Sequence, residues 1–327
     1  MTGFDYSSTA VRPTYSGLPR EVRDALELAL GGPPDSVQPA GGGFTPGFAA
    51  TLRRGPRALF VKAAGSAKTF PYSSYLREAS VLAGLPEGLP VPRLLAARSV
   101  QTSGSSEEWI TLCIEHVEGT MPGRPWTLSQ AEAIHASLVE LDQGLRGVPP
   151  LLADGSMLDG LTDDDAVSGI FARCARGEPV PFLPPLTPRC WLDLQSLVNQ
   201  APVVLAGSNV LHNDLRPDNI ILASRSGRAW ICDWNYLTRG PAWADWVGLL
   251  PYARQGGLDA DALLRTSALS AGLPDDAIDS WLALLAAYMV VSGSSPEVPT
   301  SLSLRAHGRF TARIMVDWVC ERRKWAA

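Results

Sequence analysis

Val210-Leu211-His212-Asn213-Asp214-Leu215-Arg216-Pro217-Asp218-Asn219-Ile220-Ile221-Leu222 is the stretch on which the reading of this chain turns. Apolar residues at both ends flank a polar turn. A second apolar run, Ala229-Trp230-Ile231-Cys232, follows and ends at Asp233-Trp234-Asn235. Two polar clusters therefore sit at the ends of short strand-like segments. Any one of these residues reads as an ordinary turn or cap residue, because Asp and Asn bond to nearby backbone. As a set they match one chemistry. Moving a phosphoryl group requires a carboxylate to orient the attacking hydroxyl and oxygen ligands to hold Mg²⁺ against the phosphates. Mg²⁺ takes carboxylate and carbonyl oxygens and keeps some water. Asn219 and Asp233 suit the metal, and Asp214 suits the hydroxyl.

Working outward toward the N-terminus, Leu18 to Leu30 reads as a helix, with Val22, Ala25, Leu26 and Ala29 at helical spacing. Gly31-Gly32-Pro33-Pro34 stops it. The glycine-rich stretch Gly41 to Gly47 follows, then strand segments Phe48 to Leu52 and Ala58 to Lys62, the latter ending at Lys62. Tyr72 to Leu85 reads as a helix. It carries Glu78, which comes 16 residues after Lys62. Ile110 to Glu115 is rich in β-branched residues and reads as a strand. At Glu115-His116-Val117-Glu118-Gly119 the composition changes, and the sequence beyond reads mainly helical. Thr127 and Gln130 form a capping box ahead of Ile134, Leu138, Leu141 and Leu145. His135 lies one residue off that face and reads as a packed histidine. Further helices are expected around Pro188–Asn199, Ala242–Tyr252, Asp275–Val291 and Leu302–Lys324.

The motif His212-x-Asp214-Leu215-x-x-x-Asn219, with Asp233 following a short strand, resembles the catalytic and metal-binding loops of the aminoglycoside phosphotransferase and choline kinase family. That family is similar to protein kinases in fold. The resemblance covers about residues 38 to 250. It implies an α+β, protein-kinase-like bilobal fold. Residues 1–117 would form a small antiparallel-sheet, nucleotide-binding N-lobe. Residues 118–327 would form a helical C-lobe with catalytic loop, metal site and acceptor site.

The resemblance also implies roles. Asp214 is the catalytic base or hydroxyl-orienting residue. Asn219 and Asp233 bind Mg²⁺. His212 holds the loop, and Asp245 supports it from a later helix start. Arg216 stands where kinases often carry a basic residue and would reach the transferred phosphoryl group or the substrate. Lys62, paired with Glu78, aligns the α- and β-phosphates of ATP or GTP. Backbone at Gly43 approaches the phosphates and Thr45 adds a hydroxyl contact, because glycine lacks a side chain in the way. The Glu115 carbonyl and the Val117 amide face the base.

Three departures matter. Asn213 stands where the family usually has Gly, and Asn tolerates left-handed backbone. Trp-Asn, not Phe-Gly, follows Asp233. No Ala-Pro-Glu segment is present. The last two argue against a protein substrate.

Bulk properties bound the rest. The 327 residues suit two lobes, and 46% hydrophobic with 19% charged residues is an ordinary globular composition. A net charge of −5 sets no basic face for nucleic acid. The five cysteines are odd in number and lack Cys-x-x-Cys spacing, so neither a disulfide framework nor a zinc site is expected. The first residues lack a basic segment followed by an apolar run, as a signal peptide would need. The apolar run Trp281 to Val291 is shorter than the about 20 residues of a membrane span. A cytoplasmic enzyme is expected, acting with a nucleoside triphosphate on a small-molecule hydroxyl acceptor and without membrane or nucleic-acid partner; its oligomeric state is left open. Acceptors implied by the resemblance are aminoglycosides, nucleoside or peptide antibiotics, amino-alcohols and sugars. Asp154, Asp159, Asp163, Asp164 and Asp165 form an acidic cluster that would attract a cationic polyhydroxylated acceptor; the alternative is a solvated loop. Rival readings are a nucleotide-binding pseudokinase that regulates, and a protein kinase. Joint retention of Lys62, Glu78, Asp214, Asn219 and Asp233 argues against the first, and the departures against the second.

Overall fold

Side-chain alternation along Leu59-Phe60-Val61-Lys62-Ala63-Ala64 sets what each face of the first sheet can do. A computed structural model of the chain describes residues 3–104, 106–123 and 125–325. Its N-terminal part contains helix α1 (Arg20–Leu30), strands β1 (Ser36–Pro39), β2 (Phe48–Arg54) and β3 (Arg57–Gly65), helix α2 (Thr69–Gly84), and strands β4 (Leu94–Gln101) and β5 (Glu108–Glu115). The strands form one antiparallel sheet in the order β1-β2-β3-β5-β4. Leu59, Val61 and Ala63 pack with Val22, Leu26 and Leu30 of α1. Ala64, Leu112 and Ile114 pack with Tyr75 and Ala79 of α2 on the other face. Lys62 has the parity of the α2 face. A register slip of one residue would turn it away from that helix.

Lys62 does not end its strand. β3 runs on to Gly65, pairing Ala63, Ala64 and Gly65 with Thr111, Ile110 and Trp109. The small residues after Lys62 fit a central strand covered on both faces. The sequence pattern does not predict β4, because its residues are mostly exposed and carry no alternating apolar pattern.

The remainder is helical with two small sheets. It comprises β6 (Gly119–Thr120), α3 (Leu128–Gly144), α4 (Asp165–Ser168), α5 (Ile170–Ala175) and α6 (Pro188–Val204). Strands β7 (Asn209–Leu211), β8 (Ile220–Ala223), β9 (Ala229–Ile231) and β10 (Thr238–Gly240) follow. Helices α7 (Ala244–Gln255), α8 (Ala260–Thr266), α9 (Asp275–Ser294) and α10 (Leu304–Arg323) complete it. The Thr127–Gln130 capping box at the start of α3 is formed in both directions. His135 is packed edge-on to Trp246, and its Nε2 shares a 2.8 Å hydrogen bond with Ser267. Helix α9 has the length and apolar composition of a membrane span. Most of it is buried within the helical core, packed on α6 and α10. β7 pairs with β10, and β8 lies between β6 and β9. The antiparallel-sheet and helical parts together give the expected α+β, kinase-like architecture.

Candidate active site

The polar turn between β7 and β8 is held from below. Asn213 has φ +61° and Asp233 φ +69°, both in the left-handed region. Asp245, in the first turn of α7, accepts hydrogen bonds from the backbone N–H groups of His212 (2.8 Å) and Asn213 (3.0 Å). Burial raises its pKa, against the pull of His212. His212 is itself buried and sits edge-on to Trp234. Its Nδ1 accepts from the Asp214 N–H at 3.3 Å, so its Nε2–H donates to the Cys232 carbonyl at 2.8 Å. One imidazole thus ties the Asp214 loop to the residue before Asp233.

Asp214 meets Arg216 through Oδ1 and Asn219 through Oδ2. The Asn219 amide nitrogen also donates to the Asp214 carbonyl at 2.7 Å. Burial raises the pKa of Asp214, and Arg216 offsets part of that. Arg216 spans two carboxylates: its Nε lies 3.1 Å from Asp218 Oδ1, and its guanidinium stacks over Phe44.

Across the cleft, Lys62 Nζ donates to Glu78 (2.8 and 2.6 Å) and to Asp233 Oδ1 (2.6 Å). Burial works against the Lys62 charge, but Asp233 and Glu78 outweigh it and raise its pKa. Burial pushes Glu78 up to about 7, with Lys62 pulling the other way. Asp233 ends below its ordinary value, because Lys62 overcomes its burial.

The glycine-rich turn is clamped rather than open. Gly43, at φ +77°, donates its N–H to Asp218 Oδ2 at 2.9 Å. The backbone of Gly43, expected to approach phosphate, thus has its N–H engaged by Asp218, whose side chain is 1% exposed. Arg12 donates to the carbonyls of Ala40, Gly42, Gly43 and Thr45. Thr9 bonds Gly41 and Gly43. A Cβ on Gly41 would lie 2.6 Å from the Ser7 carbonyl, so only glycine lets the segment pass so closely. Phe4 and Tyr6 pack on His307 of α10, and Tyr6 bonds it at 3.1 Å. The segment 4–12 therefore joins the glycine-rich turn to the last helix. Arg12, Thr9 and Asp218 were not among the expected site residues. Asp218 lay within the decisive stretch but read as a turn residue, and Arg12 is 28 to 33 residues from its partners.

Two cavities meet here. One, of about 390 Å³, is lined by Arg12, Gly43, Lys62, Glu78, Glu115, Val117, Asn219 and Asp233. Val117 is there with its N–H unbonded among the described residues. The other, of about 950 Å³, is lined by Asp214, Arg216 and Asp233 at its floor. Thr45 and Asp233 border both. Of the acidic cluster, only Asp159 lines the larger cavity. Asp159 and Asp163 cap turns, Asp164 caps α4, and Asp154 faces Arg77 at 3.9 Å. The cluster is thus local turn chemistry, not a charged wall.

A model of the phosphotransferase enzyme family matches residues 36–284. The chain belongs to that family. Several solved structures share its fold at low identity. A spectinomycin phosphotransferase bound to ADP and spectinomycin is 10% identical, with a TM-score of 0.58 over 93% of this chain and 99% of that one. The GDP complex of an aminoglycoside 2′-phosphotransferase mutant is 14% identical, with a TM-score of 0.54 over 93% and 98%. Choline kinase from Streptococcus pneumoniae is 12% identical, with a TM-score of 0.52 over 89% and 97%. No curated protein sequence matches the chain.

In this phosphotransferase, Asn219 spends its amide nitrogen on Asp214, and its Oδ1 has no protein donor among the described residues. Asp233 gives Oδ1 to Lys62 and keeps Oδ2. Two hard oxygens with room for phosphate and water fit a Mg²⁺ ion, which is seldom caged by protein alone.

Proposed function

We propose that the chain transfers the γ-phosphoryl group of ATP or GTP to a hydroxyl of an antibiotic-like small molecule. Residues 1–117 would serve the nucleotide and 118–327 the catalytic loop and acceptor. The observation that carries this reading is the meeting of Lys62, Glu78 and Asp233 in one ion cluster, bordering a second cavity floored by Asp214. The family match, and neighbours named as phosphotransferases and a kinase, support it.

Each residue has one task. Lys62, fixed by Glu78, presents its ammonium to the α- and β-phosphates. Asn219 Oδ1 and Asp233 Oδ2 would hold Mg²⁺, which neutralises phosphate charge when bound. Asp214 accepts the proton of the attacking hydroxyl, and its raised pKa moves it toward the working range of a general base. Arg216 keeps the Asp214 carboxylate oriented. His212 and Asp245 hold the loop. We place the enzyme in the cytoplasm on its cysteine pattern, which suits a reducing compartment. Incubating the protein with Mg²⁺, ATP or GTP, and a panel of hydroxyl acceptors tests the proposal by mass spectrometry. A gain of one phosphoryl mass on an acceptor is expected. Nucleotide binding without transfer to any acceptor would favour the regulatory pseudokinase instead.

A further inference from the structure

The larger cavity has a wall unlike the charged turn at its floor. Phe70, Tyr236 and Tyr288 are 54%, 46% and 43% exposed, and all three line it. Leu285 and Met289 continue the same surface. Single exposed apolar side chains need no explanation, but several converging beside a catalytic carboxylate mark a binding surface.

Charge points the same way. A cationic acceptor needs unpaired carboxylates. Asp214 is paired with Arg216 and Asp233 with Lys62; Asp159, bonded by the Ser156 N–H, is the one lining carboxylate without a cationic partner among the described residues. Lys68 adds a positive group to the lining. The hydroxyls of Tyr236 and Tyr288 have no hydrogen-bond partner among the described residues, and both side chains line the same cavity as Asp214. They offer neutral donors to an acceptor oxygen within that cavity. The volume, about 950 Å³, is that of a site for a drug-sized ligand; a small amino-alcohol would leave most of it to water.

We infer that the acceptor is an uncharged, drug-sized alcohol with a large apolar body, seated on Phe70, Tyr236 and Tyr288, and not a polycationic sugar. The inference rests on the phosphotransferase reading for the place of its hydroxyl at Asp214.

Methyl, butyl and hexyl β-D-glucopyranosides test it, because they share one neutral head and differ in apolar length. Binding to the full chain with Mg²⁺–ATP is measured by calorimetry, with kanamycin as the cationic comparison, at low and high NaCl. ADP release is followed in the same samples. Affinity should rise by at least about tenfold from methyl to hexyl and persist in high salt. Tyr288→Ser and Phe70→Ser, at exposed positions where the melting temperature is expected to stay that of the wild type, should flatten the series. Equal affinity across the series, or kanamycin binding tighter than the hexyl compound and weakening with salt, overturns the inference. Phosphorylation of kanamycin as the better acceptor would overturn it too, while leaving the phosphotransferase reading intact. Chain-length-dependent binding with no transfer to any acceptor would uphold the apolar site and count against that reading.

Discussion

Asp214 is pulled in two directions: burial favours its proton, and Arg216 favours its charge. A carboxyl so poised can take a proton from an alcohol and give it up again. Asp214→Asn should lower kcat by about 10²–10⁴-fold with nucleotide affinity little changed. Steady-state kinetics beside nucleotide titration checks this, and near-wild-type turnover would remove Asp214 from the mechanism. Glu78 makes a different demand, on stability. Its carboxyl titrates at about 7 in the fold and at its ordinary 4.5 when unfolded. Between these values the folded chain keeps a proton that the unfolded chain has lost. Its contribution is therefore fully present below about 4.5 and is lost as pH rises through about 7. Glu78→Gln removes this slope. The stability of wild type relative to the variant should fall across that window, read from denaturant melts at several pH values. Parallel curves would mean that Glu78 is ionised throughout. Both residues are legible in the sequence, because their partners lie at fixed, short spacings. Asp218 was in plain view, but a carboxylate after Pro217 reads as a turn until Gly43 is seen to approach it.

Among elements, the 4–12 segment does what a side chain alone cannot. The Arg12 guanidinium gathers carbonyls of Ala40, Gly42, Gly43 and Thr45, and so holds the shape of the turn above the nucleotide cavity. Charge-assisted hydrogen bonds contribute about 1.5–3 kcal/mol each, so Arg12→Ala should raise the nucleotide KM by roughly tenfold or more. Its effect on kcat should be smaller. Arg12→Lys should not restore the wild type, because an ammonium lacks the planar fork that reaches several carbonyls. An unchanged KM in both variants would make the segment mere packing. Nothing local in the sequence announces this contact; it joins segments with no shared period. β4 is hidden for a related reason: as an edge strand it is only partly buried, at Leu94, Ala96 and Val100, and the small, broken apolar set prints no clear pattern.

At the scale of the molecule, the C-terminal end is fixed by charge. Asp279 is 1% exposed and accepts from both Arg322 and Arg323 of α10, which also reach Asp261, Asp275 and Asp276. Without their shared buried carboxylate, Arg322 keeps Asp261 and Asp275 and Arg323 keeps Asp276, so the loss should cost about 1.5–3 kcal/mol, that of a charged hydrogen bond. Asp279→Ala is therefore expected to lower the melting temperature by several degrees, and an unshifted melt would show the network to be superficial. The kinase-like architecture was legible because its sheet residues alternate, its helices carry caps, and its polar turn has a distinctive spacing. How the two ends of the chain meet was not, because long-range docking leaves no periodic trace.

That meeting bears on synthesis. Tyr6 bonds to His307, a separation of 301 residues. A ribosome adding about 5–20 residues per second would expose Tyr6 about 15–60 s before its partner is made. Until then the segment that clamps the glycine-rich turn has nowhere to dock at its other end. The nascent sheet can form early, but its nucleotide cleft would mature only after the last helix has emerged.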